Sequence, residues 1–265
     1  PLFFLNPYPA NRAAQESRGL GDVYKRQVNN SILPTIMKKI RQYFVKNSTV
    51  IFHLSKNVFF PLHHGTSVFS VLTQHLRGLK AAIYRFPANN MCRFSDLIEH
   101  ADRMGVRIIN LSMGSNSAED WECFYESAKR HVDILFVVSA GNDGSNIEIN
   151  QVFPASFDLE NIVVVTSADH FGHLPRHSNY GVKSVDFMIS AEQVDVFDHR
   201  GAYSTTGGSS YAAPMLAALA TRFLAQNQLA TTRDIVKFLE SRAIQKGSKL
   251  VKFGWIPDPS DDFKF

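Results

Sequence analysis

The hydrophobic pattern along this chain switches repeatedly between a helical and an extended period. Ile32, Leu33, Ile36, Met37, Ile40 and Phe44 recur at helical spacing, which predicts an amphipathic helix. Thr49–Leu54 reads as a strand, His64–His75 as a helix and 81–85 as a second strand. Leu97, Ile98, Ala101 and Met104 mark another helix, with Gly105 placed to stop it, because glycine accepts the left-handed backbone of a helix end. A strand over 107–112 precedes Trp121, Phe124, Tyr125 and Ala128, whose spacing defines one helix face, with Ser117 as candidate N-cap. Residues 134–139 and 162–167 are continuous apolar runs, the signature of parallel strands covered on both faces. Residues 212–224 are apolar nearly all round, which predicts a helix buried in the core. Thr231 introduces a last helix carrying Ile235, Phe238, Leu239 and Arg242, with Asp234 placed for a capping interaction. From Ser248 the chain is polar and contains proline, and the pattern assigns it no element. This alternation predicts an α/β fold, a doubly wound and mostly parallel sheet with helices on both faces.

Composition narrows the classes. The 265 residues suffice for one large α/β domain or two small ones. With 45% apolar and 20% charged residues, the chain can bury a core, and disorder throughout is excluded. Lys and Arg number 28 against 24 Asp and Glu, a net charge of +4 without clustering, so no nucleic-acid partner is expected. The longest apolar run, near 134–138, is far short of the roughly 20 residues of a membrane span. Cys92 and Cys123 make no disulfide framework; one bridge and two buried thiols are both open.

The N-terminal region stands apart. Residues 17–27, SRGLGDVYKRQ, share no periodicity with the residues after them, and the string is identified as a translation of a transposase adapter used in sequencing libraries. A basic surface loop is the alternative, but eleven consecutive residues match. Residues 1–27 are therefore set aside as a foreign, disordered segment. Residues 28–247 form the main domain and 248–265 a C-terminal tail. The chain has no initiator Met, and its opening PLFFL is too short for a signal-peptide core.

Three motifs carry candidate chemistry. His64-Gly65-Thr66-Ser67-Val68 opens a helix, from which an imidazole can project at a sheet edge. A surface histidine is the plainer reading, and adjacent His63 leaves two candidate rings. Ser139-Ala140-Gly141-Asn142-Asp143-Gly144 follows an apolar strand, and ligand crevices of open α/β sheets lie at carboxyl strand ends. There an Asn amide can meet a developing negative charge, although Gly-Asn and Asp-Gly also form ordinary turns. Gly207-Gly208-Ser209-Ser210-Tyr211-Ala212-Ala213-Pro214 leads into the buried helix, whose N-terminus favours anions. Pro214 is tolerated only in a first turn, and either serine also serves as a plain N-cap. Together the three supply a nucleophile, a base and a donor for a tetrahedral intermediate.

On these residues, the chain resembles the subtilisin-like serine proteases, the subtilases. HGTSV is similar to their HGTHV, INLSMG over 109–114 to the strand lining the substrate cleft, SAGNDG to the oxyanion-hole segment, and GGSSYAAP to GTSxAxP. Phe153-Pro154-Ala155 with 162–165, and His177-Ser178-Asn179-Tyr180-Gly181, match two further family segments. The resemblance runs from about Thr49 to Leu239. It implies Ser210 as nucleophile, His64 as general base and then acid, and Asn142 with the Ser210 N–H as oxyanion hole. It also implies substrate pairing along Ser112, Met113 and Gly114, and a pocket wall of Ser139, Ala140 and Gly141. The implied substrate is a peptide or protein, and export to the exterior or periplasm follows from the same likeness. No cofactor is implied; structural calcium is common in the family, but no Asp-rich loop with ligand spacing stands out.

Three departures qualify the match. Ser67 replaces the second His of HGTHV, and Ser209 replaces the Thr of GTS. The third is that no Asp followed by Ser or Thr and Gly ends a strand before His64; Asp22 lies inside the adapter-like string. The sequence therefore predicts a fragment that starts after the Asp strand, lacks the first strand or strands of the sheet, and is impaired as an enzyme. Two rival readings are a non-catalytic subtilase-like domain that binds peptides or partners, and an esterase on another α/β fold. The second lacks its Gly-x-Ser-x-Gly elbow and has Ser after His in chain order.

Overall fold

The computed structural model describes residues 49–54, 64–76, 80–85, 90–197, 202–245 and 249–257. The adapter-like segment, the helix expected over 32–44 and His63 lie outside them. In chain order the elements are β1 (Thr49–Leu54), α1 (His64–His75), β2 (Lys80–Arg85), α2 (Arg93–Arg103), β3 (Ile108–Leu111), α3 (Glu122–Arg130), β4 (Leu135–Ser139), β5 (Ile162–Ala168), β6 (Phe187–Ser190), β7 (Val194–Phe197), β8 (Tyr203–Thr206), α4 (Ser209–Gln226), α5 (Thr232–Arg242) and β9 (Gly254–Ile256).

Among the described residues, seven strands form one sheet in the order β2-β1-β3-β4-β5-β6-β9, and every pairing in it is parallel. β7 and β8 form a separate antiparallel hairpin. The sheet order reverses beside β1, which has β2 on one side and all later strands on the other. Such a reversal opens a crevice at the carboxyl ends of the strands.

Alternate residues of each strand feed two cores. Ile108, Leu135, Val137, Val163 and Val165 meet α1, α4 and α5 on one face. Ile109, Leu111, Phe136, Val138, Ile162 and Val164 meet α2 and α3 on the other. All residues of β4 and β5 are buried, which is why these strands read as unbroken apolar runs rather than alternating ones.

Local chemistry sets the helix ends. The α2 helix stops before Gly105, whose φ is +72°. Ser117 is not the N-cap expected of it: the α3 helix is entered through a 3-10 turn over Glu119–Trp121 capped at Ala118, which moves the helix start to Glu122. The Ser117 hydroxyl only accepts a long bond from Asp120 N–H at 3.4 Å. At α5, Thr231 and Asp234 form a reciprocal capping box, satisfying two N–H groups that a helix start leaves open. Cys92, just ahead of α2, is bonded to Cys123 of α3, so of the two possibilities open for the cysteines the chain takes the bridge.

The residues after 248, to which the hydrophobic pattern assigns no element, supply β9, which extends the sheet beyond β6. Three residues are too few to show a period. Phe253 N–H donates to Asp186 O at 2.9 Å, and the Asp186 carboxylate accepts Val164 N–H at 2.8 Å. Lys252 Nζ lies 3.5 Å from that carboxylate, whose pKa burial pushes up to about 6.

Candidate active site

The helix that carries Ser210 starts earlier than its apolar pattern. α4 begins at Ser209 with Gly208 as N-cap, so neither serine serves as the cap. Pro214 stands in the second turn and not in the first turn expected for it; the N–H it lacks would have bonded Ser210 O, which accepts the Ser112 hydroxyl instead. Ser209 is fully buried, and its hydroxyl accepts from the Gly141 N–H at 3.1 Å. Its own N–H donates to Asn142 Oδ1 at 2.9 Å. Tyr211 and Ala212 N–H both donate to Gly208 O. Among the described residues, the Ser210 N–H is the donor of this first turn that has no acceptor.

Gly208 permits this closeness. Its φ is +120°, and a Cβ there would lie 3.0 Å from Asn142 Oδ1. The open backbone and the missing side chain let the carboxamide of Asn142 sit directly against the start of α4. With Oδ1 used by Ser209 N–H, the Nδ2 group of Asn142 is left as a donor.

Ser112 follows β3 and is buried. Its hydroxyl donates to Ser210 O at 2.7 Å and accepts from Asn110 Nδ2 at 3.0 Å. This joins the end of β3 to the first turn of α4. Met113 is half-buried and Gly114 exposed, and the next residue, Ser115, exchanges backbone hydrogen bonds with Phe153 at 2.7 and 2.9 Å. Ser139 and Ala140 are buried at the end of β4, with Gly141 half-buried.

His64 is the first residue of α1 and half-buried. Its ring centroid lies 6.2 Å from that of Tyr211, the residue after Ser210. Burial lowers its pKa, favouring the neutral ring that a general base requires. No carboxylate among the described residues contributes to that shift. Strand β1, hydrogen-bonded to both β2 and β3, ends at the same crevice, and its sequence TVIFHL contains no acid.

Of the residues singled out from the sequence, the structure bonds Asn142 and Gly141 to Ser209 and Ser112 to Ser210, and sets the His64 ring near Tyr211. Sequence reasoning gave no role to Asn179. This buried side chain donates to Ala140 O at 2.9 Å and accepts from Asp143 and Ser145 N–H, each at 2.9 Å. It holds the loop that presents Asn142, a function expressed only in long-range bonds. No group of three or more His, Cys, Asp or Glu side chains suited to a metal gathers among the described residues. Among them, no helix is long and apolar enough to cross a membrane.

Comparison with known proteins identifies the family and the fold. Residues 62–255 match the model of the Subtilase family. The chain is 28% identical over 153 residues to the thermophilic serine proteinase of Bacillus sp. (strain AK1), covering 56% of this chain and 35% of that protein. It is 28% identical over 161 residues to halolysin of Haloferax mediterranei, covering 60% and 30%. The chain therefore spans about a third of the length of these curated relatives. The crystal structure of a cold-adapted subtilisin-like serine proteinase superposes with a TM-score of 0.65 at 19% identity, covering 80% of this chain and 88% of that one. The epidermin leader peptide processing serine protease (EpiP) from Staphylococcus aureus does so with a TM-score of 0.69 at 16% identity, covering 83% and 76%. At these identities the structural likeness carries the fold, while the sequence match carries the family: the chain belongs to the subtilases.

Proposed function

We propose that this domain is a serine endopeptidase that cleaves peptide bonds through an acyl-enzyme on Ser210. The observation that carries the reading is the pair of bonds between the Gly141-Asn142 segment and Ser209. They fix a carboxamide donor beside the first turn of α4. In the proposed mechanism Ser210 Oγ attacks the scissile carbonyl carbon while neutral His64 takes its proton. The carbonyl oxygen becomes an oxyanion met by Asn142 Nδ2 and the Ser210 N–H. Protonated His64 then gives its proton to the leaving amine, and water repeats the sequence in reverse roles to release the acid. Ser112, Met113 and Gly114 bind the substrate backbone as an added strand, and Ser139, Ala140 and Gly141 wall the pocket for the residue before the cut.

His64 lacks a carboxylate partner among the described residues. Among the described residues no group fixes its tautomer or stabilises the imidazolium, and without such a group turnover is slow relative to a full triad. The same observation favours the second reading, a non-catalytic subtilase-like domain that binds peptides or partners. The Cys92–Cys123 bridge fits an oxidising compartment, in line with an exported protein. A fluorophosphonate probe separates the two readings. Covalent labelling at Ser210, lost in Ser210→Ala, supports the peptidase. A folded chain that binds peptide but takes no label supports the binding domain and ends the peptidase reading.

A further inference from the structure

The two loops that build the site are each pressed against a second loop, and one side-chain pair joins those two supports. The first support is 177–179. His177 O accepts the Gly144 N–H at 2.8 Å, and Asn179 N–H donates to Gly141 O at 3.2 Å. The second support is 191–192. Ala191 O accepts the Gly208 N–H at 2.9 Å, and a Cβ on Gly207 would lie 2.6 Å from Glu192 O. Between the supports, His177 Nε2 and Glu192 Oε2 are 3.2 Å apart.

The pair is chemically lopsided. The imidazole is 50% exposed and the carboxylate 21%. The other oxygen, Glu192 Oε1, is buried and has no partner among the described residues. His177 is therefore the donor that holds this carboxylate, whereas the imidazole can turn to water. Removing His177 leaves a largely buried carboxylate unsatisfied, while removing Glu192 costs His177 little.

Resting on the peptidase reading above, we propose that His177 and Glu192 are positioning residues that fix the spacing between the Asn142 loop and the Ser210 helix start. An oxyanion donor stabilises the transition state only when it sits at hydrogen-bond distance from the developing charge, and small misplacements there are costly. The pair acts on that spacing from behind, through Gly144 on one side and Gly207 and Gly208 on the other. A carboxylate so placed governs the rate of acylation and not the binding of substrate.

The test compares the 265-residue chain with Glu192→Ala, His177→Ala and the double variant, using two readouts. One is the rate of Ser210 labelling by a fluorophosphonate, resolved into probe binding and covalent step. The other is amide exchange at Gly144, Gly208 and Ser209, which needs no catalysis. Glu192→Ala should slow the covalent step about fivefold and His177→Ala about tenfold, with probe binding unchanged. The double variant should match Glu192→Ala, because His177 matters only through the carboxylate. Exchange should quicken at amides of both site loops in every variant. Additive losses, an effect on probe binding alone, or exchange that changes only in the loop carrying the substitution would overturn the proposal. If the unmodified chain takes no label, the peptidase reading falls, and the exchange result still decides whether the pair ties the loops.

Discussion

The two faces of the sheet are built from different materials. Behind α2 and α3 the core is aromatic: Phe94 stacks on Trp121 with centroids 5.2 Å apart, and Phe124 meets Phe94, Trp121 and Phe136 edge-on. The Cys92–Cys123 bridge closes the same side. Behind α1 and α4 the contact surface of α4 is largely alanine, with Ala212, Ala213, Ala217, Ala218 and Ala220 all at 0% exposure. Small side chains let α4 approach the strands closely, so its first turn can reach Ser112 and Asn142 directly. The α2/α3 face packs by aromatic stacking, whereas the other face combines an aliphatic core that includes Leu72, Leu216 and Leu239 with the close approach of α4, and the helices on it carry His64 and Ser210 in their first turns. Stability and chemistry are therefore separable by mutation.

The largest expected effect falls on the aromatic face. Phe124→Ala should cost about 3–5 kcal/mol in chemical denaturation, the range for emptying a fully buried aromatic site. The fraction that remains folded should take a fluorophosphonate at an unchanged rate. A slowed label in folded protein would show that the faces are coupled after all. Asn142→Ala should lean the other way: labelling slowed by about 10²–10³-fold, the usual loss for one oxyanion donor, with a stability loss of only about 1–3 kcal/mol because the buried Ser209 N–H loses its acceptor.

How much of this division is legible in the sequence depends on the range of the interactions behind it. The helix and strand alternation is plain because β4 and β5 are buried on both sides and because Trp121, Phe124 and Ala128 repeat at helical spacing. The site is legible as three motifs, since His64, Asn142 and Ser210 each sit beside a regular element. Their joints are not legible. The Ser209–Gly141 and Ser112–Ser210 bonds cross about 70 and 100 residues and leave no local pattern. β6 and β9, with four and three residues, are too short for periodicity to identify. In the β7–β8 hairpin burial alternates along β7, but the apolar Phe197 and Tyr203 stand on exposed positions, so residue type does not follow the alternation. The apolar pattern sets the start of α4 too late because Ser209 and Ser210 are polar, although Ser209 is buried.

A smaller effect tests the bridge. Reducing Cys92–Cys123, or replacing both cysteines with serine, should lower stability by about 2–4 kcal/mol, and it should leave Ser210 labelling intact because α2 and α3 pack on the opposite face. The smallest effect sharpens the site side. Burial holds the His64 imidazole below its ordinary pKa, so the neutral base persists to lower pH than in an exposed ring. Labelling should fall only as pH drops through a midpoint below about 6.5. A midpoint above that value would show that an anion faces the ring.

Residue 208 has a consequence of its own. Its missing side chain is an aperture, and the carboxamide of Asn142 packs closely against the space where a methyl group would stand. An alanine there would strain the backbone at the start of α4, one residue before Ser209, and crowd the Asn142 carboxamide that the proposed mechanism offers to the transient charge. A hydrogen atom at a single α-carbon thus marks the boundary between a pocket that merely holds a carbonyl and one that can receive electrons pushed onto it.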